Sequence, residues 1–420
     1  MSSRVESLAL ALALVAATAG CGAPPPPGNT GGTRVPPGAC GRGLVVLESD
    51  YQSTNVSLVG WDGGMLSASL LSSASTATKL STPLSGDVVA TSMPQGGDRV
   101  VLIDRDPASV LTWVDVRNGE VSAQLSVATG FKSNPQDYAE LGSHKAYVSR
   151  LEPNLSPGAA PFDGGSDLLI VDPAQPAITG RVDLTAAMSG EPSAFYPRPN
   201  RIVVAAGRAF VLLSAYSLSF MESAPSRLVT IDTATDTILD VHVLNGLHGC
   251  TGLALSPSGK RIAVACSGTF QNDETSKLNE SGLVVLARDG DALGEERRDL
   301  AKDLGAGPLG FSVSFAAEDT VVFTTFGNDA VNGTPAIDDT LMEQDLVSGH
   351  HDVVLRSHGT PFTLGEVRCA VGCPVCFVTD AGTEGGVVHR FNVEDGVLVR
   401  GSAIHADTTI GLPPRFLGAF

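Results

Sequence analysis

Four ionisable residues of this 420-residue chain have the types that acid–base chemistry uses: Glu140, His248, Glu366 and Arg368. A carboxylate, an imidazole and a guanidinium brought to one point can take a proton, return it and hold a developing anion. A second set is the cysteine run Cys369-Ala370-Val371-Gly372-Cys373-Pro374-Val375-Cys376, whose thiols suit disulfides, a zinc ion or a redox pair. Zinc needs a fourth ligand at a fitting distance, and a redox Cys-x-x-Cys usually opens a helix, whereas this one enters a strand-like run. No His follows Cys376, which excludes covalent haem attachment. Carboxylates form a third set, and Asp329, Asp338 and Asp339 are weak candidates for calcium, which takes six to eight oxygens. They lack EF-hand spacing, and a solvated acidic surface explains them as simply. Phe162, Tyr216, Phe220, Met221 and Phe270 make a fourth, apolar set suited to a binding rim. No cofactor motif accompanies any of them, so none is expected.

Whether these residues meet depends on the elements that carry them, and those elements repeat. Val114-Asp115, Val171-Asp172 and Ile231-Asp232 each precede a polar turn, with weaker copies at Trp61-Asp62, Arg288-Asp289, Gln344-Asp345 and Phe391-Asn392. From 62 to 392 the successive spacings are 53, 57, 60, 57, 56 and 47 residues. That interval fits one small antiparallel sheet per repeat. Short continuous apolar runs, such as Val100 to Ile103, Ala209 to Leu213 and Val375 to Val378, read as strands buried on both faces. Each unit therefore predicts four strands, with the apolar run second and the Asp at the exit of the third. The fold expected is an all-β, seven-bladed β-propeller of four-stranded antiparallel blades.

The ends of the chain complete one another. Gly43-Leu44-Val45-Val46-Leu47 matches the second strand of the other units, so the first unit lacks its innermost strand. Residues 408 to 413, Thr-Thr-Ile-Gly-Leu-Pro, lie beyond the last unit and resemble the innermost strands at Thr251-Gly252-Leu253-Ala254 and Leu309-Gly310-Phe311-Ser312. The carboxyl end is therefore expected to complete the first blade and close the ring, which removes the open sheet edges. On such a ring Glu140, His248, Glu366 and Arg368 fall on or near innermost strands along the central channel. The long connections between second and third strands, Leu151 to Ser166, Ser214 to Ser226, Ser267 to Ser281 and Gly327 to Thr340, share one face and carry the aromatic and calcium candidates.

The stretch Leu255-Ser256-Pro257-Ser258-Gly259-Lys260-Arg261-Ile262-Ala263-Val264 resembles a unit of the YncE-like and lactonase-like seven-bladed propellers, and the other units keep its outline. The resemblance covers 42–420 and implies the fold, with lactone hydrolysis as one of several functions the fold hosts. A quinoprotein dehydrogenase fits poorly, because only Trp61 and Trp113 are available and no adjacent cysteine pair exists.

Residues 1–20 read as an export signal, with Arg4, an apolar stretch from Leu8 to Ala17 and small residues before Cys21. Thr18-Ala19-Gly20-Cys21 resembles a bacterial lipobox, in which Cys21 becomes the lipidated first residue. Residues 21–41, rich in Pro and Gly, read as an extended tether, and 42–420 as the propeller domain. The six remaining cysteines then favour disulfides in an oxidising compartment. The strand layout pairs Cys250 with Cys266 and Cys369 with Cys376 across hairpins, leaving Cys40 for Cys373. A formal charge of -18 with no basic cluster argues against nucleic acid. The expectation is an exported, lipid-anchored monomer of the cell envelope that binds a protein, glycan or other envelope ligand without catalysis. The alternative is a lactonase-like hydrolase acting on a small metabolite.

Overall fold

A computed structural model describes residue 33 and residues 35–269, 274–328, 336–357, 361–382, 386–406 and 410–420. Seven four-stranded antiparallel sheets form in it, one per repeat. Six blades run in sequence order from the innermost strand outward. Their innermost strands are Val88–Val89, Pro135–Gly142, Pro199–Ala205, Cys250–Leu255, Leu309–Ala317 and Leu364–Cys369. The first blade instead combines Gly43–Ser49, Thr54–Gly60 and Met65–Ser72 with Pro414–Ala419 from the carboxyl end, paired as Leu44 with Ala419 and Val46 with Leu417.

Closure by the carboxyl end is thus as the sequence implies, but the strand lies six residues later than 408–413. Pro413 and Pro414 explain the displacement. Neither has an amide to give to a ladder, and proline enters a sheet only at its margin, as Pro414 does at the first position of this strand. The look-alike Ile410-Gly411-Leu412 is instead part of the connection.

Alternating side chains place one apolar row of each blade against each neighbour, and seven buried clusters result, one at every seam of the ring. The seam between the last and first blades packs Leu44, Val46, Phe377, Val388 and Leu417, all fully buried. A repeat without neighbours would leave both rows wet, which makes the ring one cooperative unit.

The recurrent Asp is explained by the turn that follows it. Asp115, Asp172, Asp232 and Asp345 each close a third strand and accept the amide two residues on, at 2.8 to 2.9 Å. The seventh unit differs. Its third strand runs past Asn392 to Glu394, and Asp395-Gly396 turns the chain, both at positive φ. That two-residue turn supplies the twist itself and needs no aspartate at the strand end.

Three disulfides join Cys40 to Cys373, Cys250 to Cys266 and Cys369 to Cys376. They suit an oxidising compartment. The first holds the amino-terminal segment to the face formed by the hairpins between first and second strands. Arg42 also pairs there with Asp98 of the second blade, Thr33 N–H donates to Val116 O at 2.6 Å, and Trp61 Nε1 donates to Cys40 O at 2.9 Å. Gly41 is obligatory at this crossing: its φ is +89° and a Cβ would stand 2.6 Å from Phe420 O. Among the described residues no helix is long and apolar enough to cross a membrane.

Candidate functional site

The third residues of five innermost strands form one layer across the channel: Asp137, Arg201, Phe311, Glu366 and Phe416. The ionic members of this layer bind one another. Glu366 Oε1 accepts Arg368 Nη2 at 3.0 Å and faces Arg201 Nη2 at 3.4 Å, while its Oε2 accepts Leu417 N–H at 3.2 Å. Arg368 reaches over the first blade to the second, donating to Ser92 O at 2.6 Å and to Thr91 O at 3.3 Å. Asp137 is fully buried and accepts Ser92 N–H at 2.9 Å, Tyr138 N–H at 2.8 Å and Ile202 N–H at 2.7 Å, so it ties three blades together. Burial pushes its carboxyl above the usual range, opposed by the positive charge of Arg201, and burial pulls the Arg368 guanidinium down. The channel is therefore crossed by a hydrogen-bonded ionic floor.

The four acid–base candidates separate. Glu366 and Arg368 meet in this floor, where both carboxylate oxygens of Glu366 are engaged. Glu140 lies toward the opposite face, beside Tyr138 Oη at 3.1 Å and Arg99 at 3.3 Å. His248 stands on the connection into the fifth blade with its Nδ1 2.9 Å from Ser223 Oγ. A base needs a free lone pair within reach of the substrate proton, and the floor presents Glu366 already neutralised by two arginines.

Above the floor, on the long-loop face, two adjoining hollows share Arg201, Phe311 and Phe416. The first, about 270 Å³, is walled by Tyr51, Phe311, Phe326, Phe362 and Phe416, with Arg415 at its side and Glu366 below. Phe326 stands between Phe311 and Phe362, 4.8 Å from each ring centroid, so the three rings make a continuous arc. Phe362 is 60% exposed and Tyr51 59%, unusual for large aromatic side chains in a folded domain. Gly365 lets the wall close, because a Cβ there would stand 2.4 Å from Arg415 O. The second hollow, about 230 Å³, is bounded by Tyr216 and Phe220, whose rings lie 5.6 Å apart, and by Arg105.

Of the proposed rim, Tyr216 and Phe220 therefore reach the channel mouth, although Tyr216 is nearly buried and donates to Gly268 O at 3.2 Å. Phe220 stacks on the buried Arg198 guanidinium at 4.1 Å. Phe162 packs against the seam between the second and third blades, and Met221 is exposed on its loop. Phe270 and Asp329 lie outside the described residues. Asp339 is committed to structure: its oxygens accept the amides of Gly327 at 2.7 Å, Thr363 at 2.6 Å and Leu364 at 3.1 Å. Asp338 is half-buried beside it, and no group of potential metal ligands forms among the described residues.

Sequence reasoning did not single out Tyr51, Arg201, Phe326, Phe362, Arg415 or Phe416. A positional signal was available for Arg201 and Phe416 alone, which are third residues of their innermost strands.

Comparison with known proteins gives the fold. No protein-family model and no curated protein sequence matches the chain. Two solved structures, 6-phosphogluconolactonase candidates from Bacteroides fragilis and Bacteroides uniformis, are similar with TM-scores of 0.55 and 0.54 and 11% identity each. The alignments cover 91% and 89% of this chain, and 99% and 98% of theirs. Kuenenia stuttgartiensis hydrazine synthase is also similar, at a TM-score of 0.50 and 14% identity over 76% of this chain and 79% of that one. At such identities the likeness is one of architecture.

Proposed function

We propose that this chain is a non-catalytic binding propeller of the bacterial cell envelope, exported by residues 1–20 and lipid-anchored through Cys21, whose channel mouth takes an envelope ligand. The observation that carries the reading is the aromatic arc of Phe311, Phe326 and Phe362 over an ionic floor whose groups are bound to one another. Exposed aromatic walls above a floor whose ionic groups are already paired favour holding a ligand over transforming it. The three disulfides support export, since such bonds persist outside the reducing cytosol.

The test is native mass spectrometry of the protein purified from its envelope fraction, beside a Phe311→Ala, Phe362→Ala variant. A retained ligand in the wild type, lost from the variant, is expected. Turnover of lactones by the wild type that Glu366→Gln abolishes would instead establish the hydrolase.

A further inference from the structure

We infer that the channel mouth selects a small organic anion: a carboxylate or similar group attached to a flat apolar body. The inference rests on reading the mouth as a binding site, and it follows from how charge is distributed around the hollow. Arg415 stands at the wall with its guanidinium 5.3 Å from the Tyr51 ring centroid, held by Ser49 O at 3.4 Å and Phe362 O at 3.3 Å. Carbonyl oxygens orient it without neutralising it. Among the described residues no carboxylate pairs with it within 4.0 Å.

The floor does not reverse that charge. The charged residues that line the first hollow are Arg201, Arg415 and Glu366, two positive groups against one negative, so that hollow carries one positive charge in excess. This occurs in a chain whose formal charge is -18. A local cationic spot on an acidic protein marks a place where an anion is admitted and other surfaces repel it.

The walls define the rest of the ligand. Phe311, Phe326, Phe362 and Tyr51 offer ring faces and edges and few hydrogen-bonding groups, which suits an aromatic or otherwise planar apolar body. An aromatic cage also suits a quaternary ammonium ligand, which ring faces attract. Arg415 over Tyr51 already occupies that role and would repel a second cation. Guanidinium groups at the wall also match the two oxygens of a carboxylate.

The experiment is isothermal titration with three probes of one shape: naphthalene-2-carboxylate, naphthalene-2-carboxamide and 2-naphthylmethylammonium. Wild-type protein is expected to bind the carboxylate at least tenfold more tightly than the amide, with the ammonium weakest and the difference shrinking as salt is raised. Arg415→Gln should bring carboxylate and amide within about twofold, whereas Arg415→Lys should retain part of the preference. The wild-type comparison decides the matter even where a variant folds poorly. Equal binding of all three probes, weakened alike by Phe362→Ala, would overturn the anion preference and leave the binding site standing. Tighter binding of the ammonium would overturn it too. Absence of binding by all three would remove this inference, while a different ligand retained in the purified protein would still support the mouth as a site.

Discussion

Removing the bond between Cys40 and Cys373 should cost more stability than removing either of the other disulfides, and the order follows from the loops they close. The sequence separations are 333, 16 and 7 residues for Cys40–Cys373, Cys250–Cys266 and Cys369–Cys376. In the chain-entropy model these give about 6, 3 and 2 kcal/mol. Residual structure in the unfolded chain lowers all three, the longest most, but leaves the order intact unless that loop is nearly preformed. The perturbation is Cys40→Ser with Cys373→Ser, made together so that no lone thiol remains, beside paired alanine substitutions for the two buried bonds. Urea unfolding should be followed by far-ultraviolet circular dichroism and by tryptophan fluorescence. Trp61 donates its indole N–H to Cys40 O at 2.9 Å and so reports directly on this seam. The long-loop variant should show the lowest midpoint and also the steepest dependence on urea, because its unfolded chain is free to expand. A loss smaller than that of the Cys369–Cys376 variant, with unchanged steepness, would refute the argument. It would mean that strand pairing of Pro414–Ala419 alone fixes the seam, even in the denatured ensemble.

Two further outcomes follow from carboxylates in structural roles. Asp339→Ala leaves the buried amides of Gly327, Thr363 and Leu364 without their acceptor and is expected to destabilise by roughly 2–5 kcal/mol in urea unfolding, with Asp339→Asn intermediate. Asp232 and Asp345 are held below the ordinary carboxyl range chiefly by the backbone amides of Thr235 and Ser348. Their folded forms release protons more readily than the unfolded chain does, so their stabilisation is full above the unfolded value near pH 4 and is lost as pH falls through the lower folded value. Acid titration of the double variant Asp232→Asn, Asp345→Asn, monitored by circular dichroism, should show a shallower loss of stability below about pH 4 than the wild type.

The ring, its closure and the cysteine pairs were legible because each depends on local pattern or on counting. A third strand ending in Asp announces its own turn, and the recurrence of that signature at near-even spacing, with Asn392 in the last copy, implies seven sheets. The cysteine pairs followed once Cys250 and Cys266 were seen at equal distances from one hairpin turn. The closing strand was misplaced because Ile410-Gly411-Leu412 imitates the Gly-rich innermost strands, while the decisive constraint was the missing amides of Pro413 and Pro414. The channel mouth was harder for a different reason. It brings together residues from strands far apart in the chain, such as Arg201, Phe311, Glu366 and Phe416, and no short window of sequence contains two of these four. His248 and Glu140 sat near innermost strands by count, yet strand direction and height along the channel sent them to different surroundings.

The amino-terminal segment is fastened to the face opposite the aromatic mouth. Cys40 is bound on the face of the hairpins between first and second strands, whereas the aromatic mouth opens among the long loops, and in an antiparallel blade these connections lie at opposite ends. Cys21 precedes Thr33 by twelve residues, an extended reach of about 40 Å. A lipid on Cys21, as proposed, would attach on the side of the ring opposite the mouth. A ligand would then arrive from the surrounding aqueous space rather than from the lipid layer. Cutting the Cys40–Cys373 bond would leave the segment held on that face by Arg42, Thr33 and Trp61 alone, without touching a single residue of the mouth.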